Sequence, residues 1–309
     1  MNILLIAGGW SPERPVSLAG AQKILEALRL LGHSVTLFDP EKSLQGLAEA
    51  AWGQDFAFIN LHGAPGEDGV VQAMLARMGL PYQGSGPAGS FLALHKDAAK
   101  SLFRRQGLHT PDWLLLHELP APDWEPPFAY PLFIKSNTGG SSLGLARVDR
   151  PEDLEPALQR LFAGGGDFLV EPACAGREVT CGVLGTEALP PILIVPKAEG
   201  GKFFDYASKY VAGAADELCP APLPEDTLQL VRETALQAHR VLGLRGYSRA
   251  DFILGDNNAL TLLEVNTLPG MTPNSLVPRA ASAMGMSFDR LVQRLIDLGM
   301  ECAAECRAE

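Results

Sequence analysis

The segment RADFILGDNNALTLLEVN, residues 249–266, constrains the fold more than any other stretch of this chain. Two apolar runs, residues 247–254 and 259–266, flank Gly-Asp-Asn-Asn. Asparagine tolerates positive φ, so Asn257-Asn258 is predicted to form a two-residue hairpin turn. With that turn, Asp251 and Glu264 oppose each other across the ladder. Side chains alternate along a strand, so Arg249 and Asp251 share a face with Glu264 and Asn266. Two facing carboxylates repel and weaken a sheet. A divalent cation between them removes the conflict. The donor set is all oxygen, without Cys or His, which points to Mg²⁺ or Mn²⁺ rather than zinc. Mg²⁺ held by one or two carboxylates usually completes its shell with substrate phosphates.

The chain has 309 residues, enough for two or three domains with their own cores. A net charge of −11 argues against a nucleic-acid partner, and an anionic substrate needs local positive charge against that field. Five cysteines, an odd number in a long chain, do not read as a disulfide framework. Cys302 and Cys306 are spaced one helical turn apart, but two ligands make a poor metal site and a structural role is expected. The start, MNILLIAGGW, lacks a basic n-region and reaches Gly8-Gly9 too soon for a signal peptide. No apolar run approaches the length of a membrane span, so a reducing cytoplasm is the expected location and a membrane is not an expected partner.

Residues 1–84 read as a βαβ start. Strands are predicted at 2–7, 34–38 and 56–61. A helix over 19–31 places Ile24, Leu25, Leu28 and Leu31 on one face and stops at Gly32; a second, over 69–78, closes at Gly79. This is a parallel, doubly wound pattern. Gly84-Ser85-Gly86-Pro87 marks a break, followed by one helix over 91–106 and a stiff proline-rich connector. Beyond it come strands at 132–135, 168–171, 178–184 and 192–195, helices at 151–162 and 226–242, the hairpin, and a terminal helix at 288–298. Strict alternation is absent there. The expected fold is an α/β N-terminal domain with a parallel sheet (1–86), followed by α+β lobes at 87–175 and 176–309.

The run FIKSNTGGSSLG places Lys135 at a strand end, before a flexible loop. Its glycines let backbone N–H groups approach phosphate oxygens, and Ser141 and Ser142 add hydroxyl donors. The P-loop order of residues is absent. Lys96 and Lys209 are further candidates to neutralise phosphate. Gly8-Gly9 and Asp39 imitate a dinucleotide site, but Trp10, Ser11 and Pro12 follow Gly9, so G-x-G-x-x-G is not satisfied. In SPERPVS, Glu13, Arg14 and Ser17 cluster where an open α/β sheet binds ligands. The alternative is a helix start capped by Ser17, with Glu13 attracted to the helix dipole.

Taken together, GGWSPERPVSL, LHGAPGEDGVVQ, the Lys96 helix, IKSNTGGSSLG, VEPACAGREVT, FDYASKY, YSRADFIL and LLEVNTLPGMTPNSLVP resemble the D-alanine–D-alanine ligase family of the ATP-grasp superfamily. Their order and number carry the resemblance, which runs from residue 8 to about residue 298. It implies an N-terminal α/β domain and two ATP-grasp lobes that sandwich ATP. It implies that Lys96, Lys135 and Lys209 contact phosphates, that the run from Glu171 to Cys174 lines the adenine edge, and that Glu178 holds the ribose. Phe133, Phe203 and Leu263 would pack the base. Asp251, Glu264 and Asn266 match ligands to two Mg²⁺ or Mn²⁺ ions, with Glu264 bridging. Glu13 would bind the ammonium of a first D-alanine, with His62 nearby, and Glu13, Ser141 and Tyr210 match a trio that closes a loop over the site. Arg249 and the Gly270 backbone would form the oxyanion site; Ser275 and Leu276 would receive the second D-alanine's carboxylate. A homodimer is the assembly the family implies.

This sequence departs from the family at Asn137-Thr138-Gly139-Gly140, where Arg-Glu often precedes the glycine. It also departs in the less aromatic run VAGAADEL and at Asn274, where histidine is frequent. By the same resemblance, Tyr210 implies a dipeptide rather than an ester product, because ester-forming family members tend to carry a different residue there. The rival readings are an ATP-grasp ligase for another amino-acid or hydroxy-acid pair, and a nucleotide-binding regulator without turnover. The intact set Arg249, Asp251, Glu264 and Asn266 speaks against the regulator.

Overall fold

Continuous apolar runs build the first sheet. Strand β1 (Asn2–Ala7) is buried after its first residue, and β3 (Phe56–Asn60) is buried throughout; β2 (Ser34–Phe38) is more polar and lies at an edge. The three pair in parallel in the order β2-β1-β3, as expected of a sheet covered on its faces. The computed structural model describes residues 1–140, 144–197 and 215–308.

Helix α1 (Arg14–Leu30) begins ahead of the predicted residue 19, because Pro15 presets a helical φ in its first turn. Ser17 is therefore not a cap. It sits inside α1, accepts the Gly8 N–H at 2.8 Å and donates to the Asn60 carbonyl. Two further helices follow, α2 (Leu47–Ala51), which is too short for a periodic signal, and α3 (Val70–Arg77).

The helix predicted over 91–106 is two helices, α4 (Pro87–Leu94) and α5 (Lys96–Arg105), broken at His95 where the backbone is extended (φ −82°, ψ 96°). The break has a distant cause. Asn137 accepts the Lys96 N–H on its carbonyl (3.1 Å) and the Asp97 N–H on its side chain (3.0 Å), so a residue of another lobe satisfies the first turn of α5. Ala93, Ala99 and Phe103 pack with the large C-terminal sheet. Residues 87–108, expected in the central lobe, thus share a core with the C-terminal one.

The central lobe is an antiparallel sheet, β4 (Leu114–Leu116), β5 (Leu132–Ser136), β6 (Leu145–Val148) and β7 (Phe168–Pro172), in the order β4-β7-β5-β6. Helix α6 (Leu154–Phe162) covers it, burying Leu154 and Leu158 against Ile134, Val148 and Val170. The large sheet contains β8 (Arg177–Leu184), β9 (Glu187–Ala188), β10 (Ile192–Pro196), β11 (Ala215–Leu218), β12 (Tyr247–Leu254) and β13 (Leu260–Asn266). Its order is β11-β10-β8-β12-β13, with β9 beside β8. Helix α7 (Glu225–Val241) backs it through Val231, Ala235 and Ala238. After α8 (Leu276–Ala283), α9 (Phe288–Ala308) runs past the predicted residue 298 and inserts Leu291, Val292, Leu295 and Ile296 into the core of the first sheet.

The hairpin reaches its predicted pairing by an unpredicted route. Gly255 N–H donates to Ala259 O (2.9 Å) and Asn258 N–H to Gly255 O (3.0 Å), with Asn258 at φ 60°. The loop is therefore Asp256-Asn257-Asn258, with one left-handed residue, rather than a two-residue turn. That longer loop alone would set Asp251 opposite Leu263. A bulge between Asp251 and Phe252 restores the register: Phe252 pairs with Leu262, Asp251 with Glu264, and Leu263 is the extra residue. The bulge breaks the alternation locally. Consecutive residues Leu263 and Glu264 both line the cleft described below, while Leu262 and Val265 stay in the core.

Residues 173–176 join the two antiparallel sheets. Gly176 lies at φ +147°, and a Cβ there would stand 2.8 Å from both Ile253 Cγ2 and the Leu254 carbonyl carbon. Gly176→Ala is expected to destabilise the protein by about 1–3 kcal/mol through this overpacking. Thermal unfolding checks it; an unchanged melting temperature contradicts it.

Candidate active site

A cleft of about 380 Å³ opens between the central and the large sheet. One wall carries Phe133 and Glu171, which are cross-strand partners on β5 and β7. The other carries Ile194, Glu178 and Ile253, which lie in one row because Glu178 of β8 pairs with Ile194 on one side and Ile253 on the other. Leu263 joins that wall through the bulge. Apolar faces with a few convergent polar groups suit a small-molecule or cofactor ligand.

Three lysines pair with acids of this cleft. Lys135 Nζ lies 2.7 Å from Glu171 Oε2, and Lys100 Nζ 2.6 Å from Glu171 Oε1. Lys96, at the start of α5, lies 3.3 Å from Glu264 Oε2 and donates to Gly139 O at 2.5 Å. Burial, opposed by the neighbouring Glu171, brings Lys100 down to about 8. Burial also pushes up the Cys174 thiol in the cleft wall.

Asp251 is held on several sides. Arg249 grips it with two hydrogen bonds, Nε to Oδ1 and Nη2 to Oδ2, each 2.8 Å. Thr180 Oγ1 donates to Oδ1 at 2.6 Å, and the Asn266 amide to Oδ2 at 3.2 Å. Cations thus stand beside both facing acids, Arg249 at Asp251 and Lys96 at Glu264. Among the described residues no group of three or more His, Cys, Asp or Glu side chains is arranged to hold a metal ion by itself. The donor set here stays two carboxylates and one amide, and a half-turn of the Asn266 amide presents its oxygen instead of its nitrogen. All-oxygen donors of this kind fit a hard divalent cation.

A second acidic region adjoins the glycine-rich loop. Glu13, buried at the entry to α1, has its carboxylate against both Gly140 and Gly63: a Cβ at those positions would stand 3.0 Å and 3.9 Å from Glu13 Oε2. His62, just beyond β3, hydrogen-bonds the Leu268 backbone; burial lowers its pKa and Glu13 opposes that shift. Glu67 accepts the Gly63 N–H at 2.7 Å and hydrogen-bonds the Leu268 backbone as well. Burial, with Glu13 nearby, raises Glu67 to about 7. Farther along, Ser275 Oγ accepts the Thr272 N–H (3.0 Å), a Cβ at Gly270 would stand 3.0 Å from that oxygen, and Leu276 opens α8. Ser141, Ser142, Phe203, Lys209 and Tyr210 lie outside the described residues.

A sequence model of the family described as D-ala D-ala ligase C-terminus matches residues 102–297. A D-alanine–D-alanine ligase of Nitratidesulfovibrio vulgaris (strain DP4) is 66% identical over 303 residues, spanning 98% of this chain and 99% of its own. That of Oleidesulfovibrio alaskensis is 66% identical over 300 residues, 97% of each chain. The chain belongs to the D-alanine–D-alanine ligase family. Among solved structures, the Bacillus anthracis D-alanine–D-alanine ligase complexed with ATP superposes with a TM-score of 0.87 at 30% identity, covering 99% of both chains. The parallel N-terminal sheet followed by two antiparallel ATP-grasp sheets is the fold of this family member.

Asp39, which imitates a ribose-binding acid, is engaged elsewhere in this ligase-family chain. It pairs with Arg14 at 2.7 Å, accepts the Gly9 N–H at 3.0 Å and lies against Gly8. No helix of the described residues is long and apolar enough to cross a membrane. Sequence reasoning missed Lys100, Glu67 and Thr180. Lys100 follows Lys96 by one helical turn, a spacing that places both on one face. Glu67 stands in LHGAPGEDGVVQ, but its partner Leu268 is remote in sequence.

Glu67 makes stability depend on pH. Between the ordinary 4.5 and about 7 the folded protein holds a proton that the unfolded chain has lost. Its contribution is therefore complete below the ordinary value and is lost as pH rises through about 7. Glu67→Gln is expected to remove that decline, changing the pH 4.5-to-7 difference in unfolding free energy by about 3 kcal/mol. Denaturant unfolding across this range checks it; identical slopes in both proteins contradict it.

Proposed function

We propose that this protein joins two D-alanines into D-alanyl-D-alanine with consumption of ATP, a step of peptidoglycan precursor synthesis. The observation that carries the reading is the cleft between two antiparallel sheets, apolar along its walls, with Lys96, Lys135, Asp251 and Glu264 in its lining. Full-length relatives at 66% identity named D-alanine–D-alanine ligase support it.

A carboxylate is a poor acyl donor because oxide does not leave. In the proposed first step, a carboxylate oxygen of the first D-alanine takes the γ-phosphoryl group of ATP, giving an acyl phosphate and ADP. Such transfer needs charge neutralisation and in-line positioning more than a base. Lys96 and Lys135, with Lys209, contact the phosphates in this reading. Phe133, Phe203 and Leu263 pack the adenine, the run from Glu171 to Cys174 lines its edge, and Glu178 holds the ribose. Asp251, Glu264 and Asn266 would hold two divalent ions, Mg²⁺ or Mn²⁺, which supply charge neutralisation along the triphosphate.

Glu13 binds the first D-alanine's ammonium, with His62 beside it. Ser275 and Leu276 receive the second D-alanine's carboxylate. Its ammonium first gives one proton to solvent, and the free amine attacks the acyl carbon; the tetrahedral oxyanion is met by Arg249 and the Gly270 N–H, and the C–O bond to phosphate breaks as a second nitrogen proton departs with the phosphate, leaving the amide. Water must be kept from the acyl phosphate, the role assigned to closure by Glu13, Ser141 and Tyr210.

Product analysis by mass after incubation with ATP, Mg²⁺ and a panel of D- and L-amino acids tests this. The expected outcome is D-alanyl-D-alanine, ADP and phosphate, with D-alanine as the effective substrate. ADP without dipeptide, or ligation confined to other amino acids, overturns it.

A further inference from the structure

The reaction described above gives Lys100 no part, yet its placement is unusual. It lies on α5, its side chain is 0% exposed, and its Nζ stands 2.6 Å from Glu171 Oε1 and 5.2 Å from the centre of the Trp113 ring. Lysine is almost never fully buried without a partner. Here the partner is already paired: Lys135 Nζ lies 2.7 Å from the other oxygen of the same carboxylate. Glu171 and Lys135 line the cleft, and Lys100 stands behind Glu171.

A phosphate-binding lysine in this position has a difficulty. If Lys135 were the sole partner of Glu171, its departure towards a phosphate would leave a buried carboxylate uncompensated, and that penalty would oppose nucleotide binding. Glu171 is only 4% exposed, so its carboxylate is poorly hydrated and a lost lysine is costly to replace. A second lysine on the far oxygen changes the balance. Glu171 then stays neutralised whether Lys135 is on it or on the ligand.

We infer that Lys100 is a positioning residue: by holding Glu171 compensated from behind, it frees Lys135 to leave that carboxylate for the triphosphate of ATP. Lys100 itself touches no ligand. The inference rests on the ATP-dependent reading above.

Calorimetric titration of the whole protein with ATP and with adenosine, each with Mg²⁺, tests it. The ratio of adenosine Kd to ATP Kd reports what the phosphates contribute. K100M is expected to lower that ratio about tenfold, the scale of one weakened charge contact. The K100M/E171Q double variant, which has no carboxylate to retain Lys135, is expected to restore it. An unchanged ratio in K100M, or a double variant no better than K100M, overturns the inference, because a merely structural lysine would weaken both ligands alike and would not be rescued by E171Q. If K100M does not fold, as read by circular dichroism, the neutral pair alone decides: a ratio at or above wild type supports the inference and a lower one overturns it. Wild-type protein that bound neither ligand would instead overturn the ATP-dependent reading, and this inference with it.

Discussion

Asp251 and Glu264 face each other across β12 and β13, and two negative charges in that position oppose the pairing of the strands that carry them. Like charges about 4 Å apart repel by about 4 kcal/mol at an effective dielectric constant of 20, more than the ~0.2–1 kcal/mol a favourable cross-strand pair contributes. The hairpin is therefore viable because cations stand beside the acids. Arg249 comes from β12 itself, one alternation away. Lys96 comes from α5, whose first turn is fixed in place by Asn137. The helix break at His95, the strand end before the glycine-rich loop and the hairpin bulge are thus parts of one electrostatic arrangement.

The same arrangement explains how much the sequence reveals. Strands β1, β3, β8 and β12 are apolar runs with clear ends, and they fall where periodicity places them. The facing of Asp251 and Glu264 was legible too, although the route was not: a three-residue loop and a bulge at Leu263 offset each other. Turn chemistry alone cannot separate these cases, because a bulge is set by packing on both faces of the strand. Helix α5 shows the limit most plainly. Nothing local in residues 91–106 announces the break; its cause is Asn137, far away in sequence.

Candidate site residues divide in the same way. Lysines and acids in distinctive strings, such as Lys135 before the glycines or Glu264 before Asn266, were visible from their surroundings. Lys100 and Glu67 were not, since each takes its meaning from a distant partner, Glu171 or the Leu268 backbone. Both are charged-type residues buried by tertiary packing, an environment that no local window reports. The cations around the cleft rest on acids: Lys96 on Glu264, Lys135 on Glu171 and Arg249 on Asp251. In the proposed reaction each would trade a carboxylate for a phosphate or an oxyanion, while the acids would take divalent ions.

Mn²⁺ binding followed by electron paramagnetic resonance in the presence of ATP tests that exchange most directly. Wild-type protein is predicted to hold Mn²⁺ with ATP, and Asp251→Asn and Glu264→Gln are each predicted to weaken that binding at least about tenfold, as loss of one charged ligand from a small all-oxygen set requires. Equal Mn²⁺ affinity in wild type and both variants would contradict it.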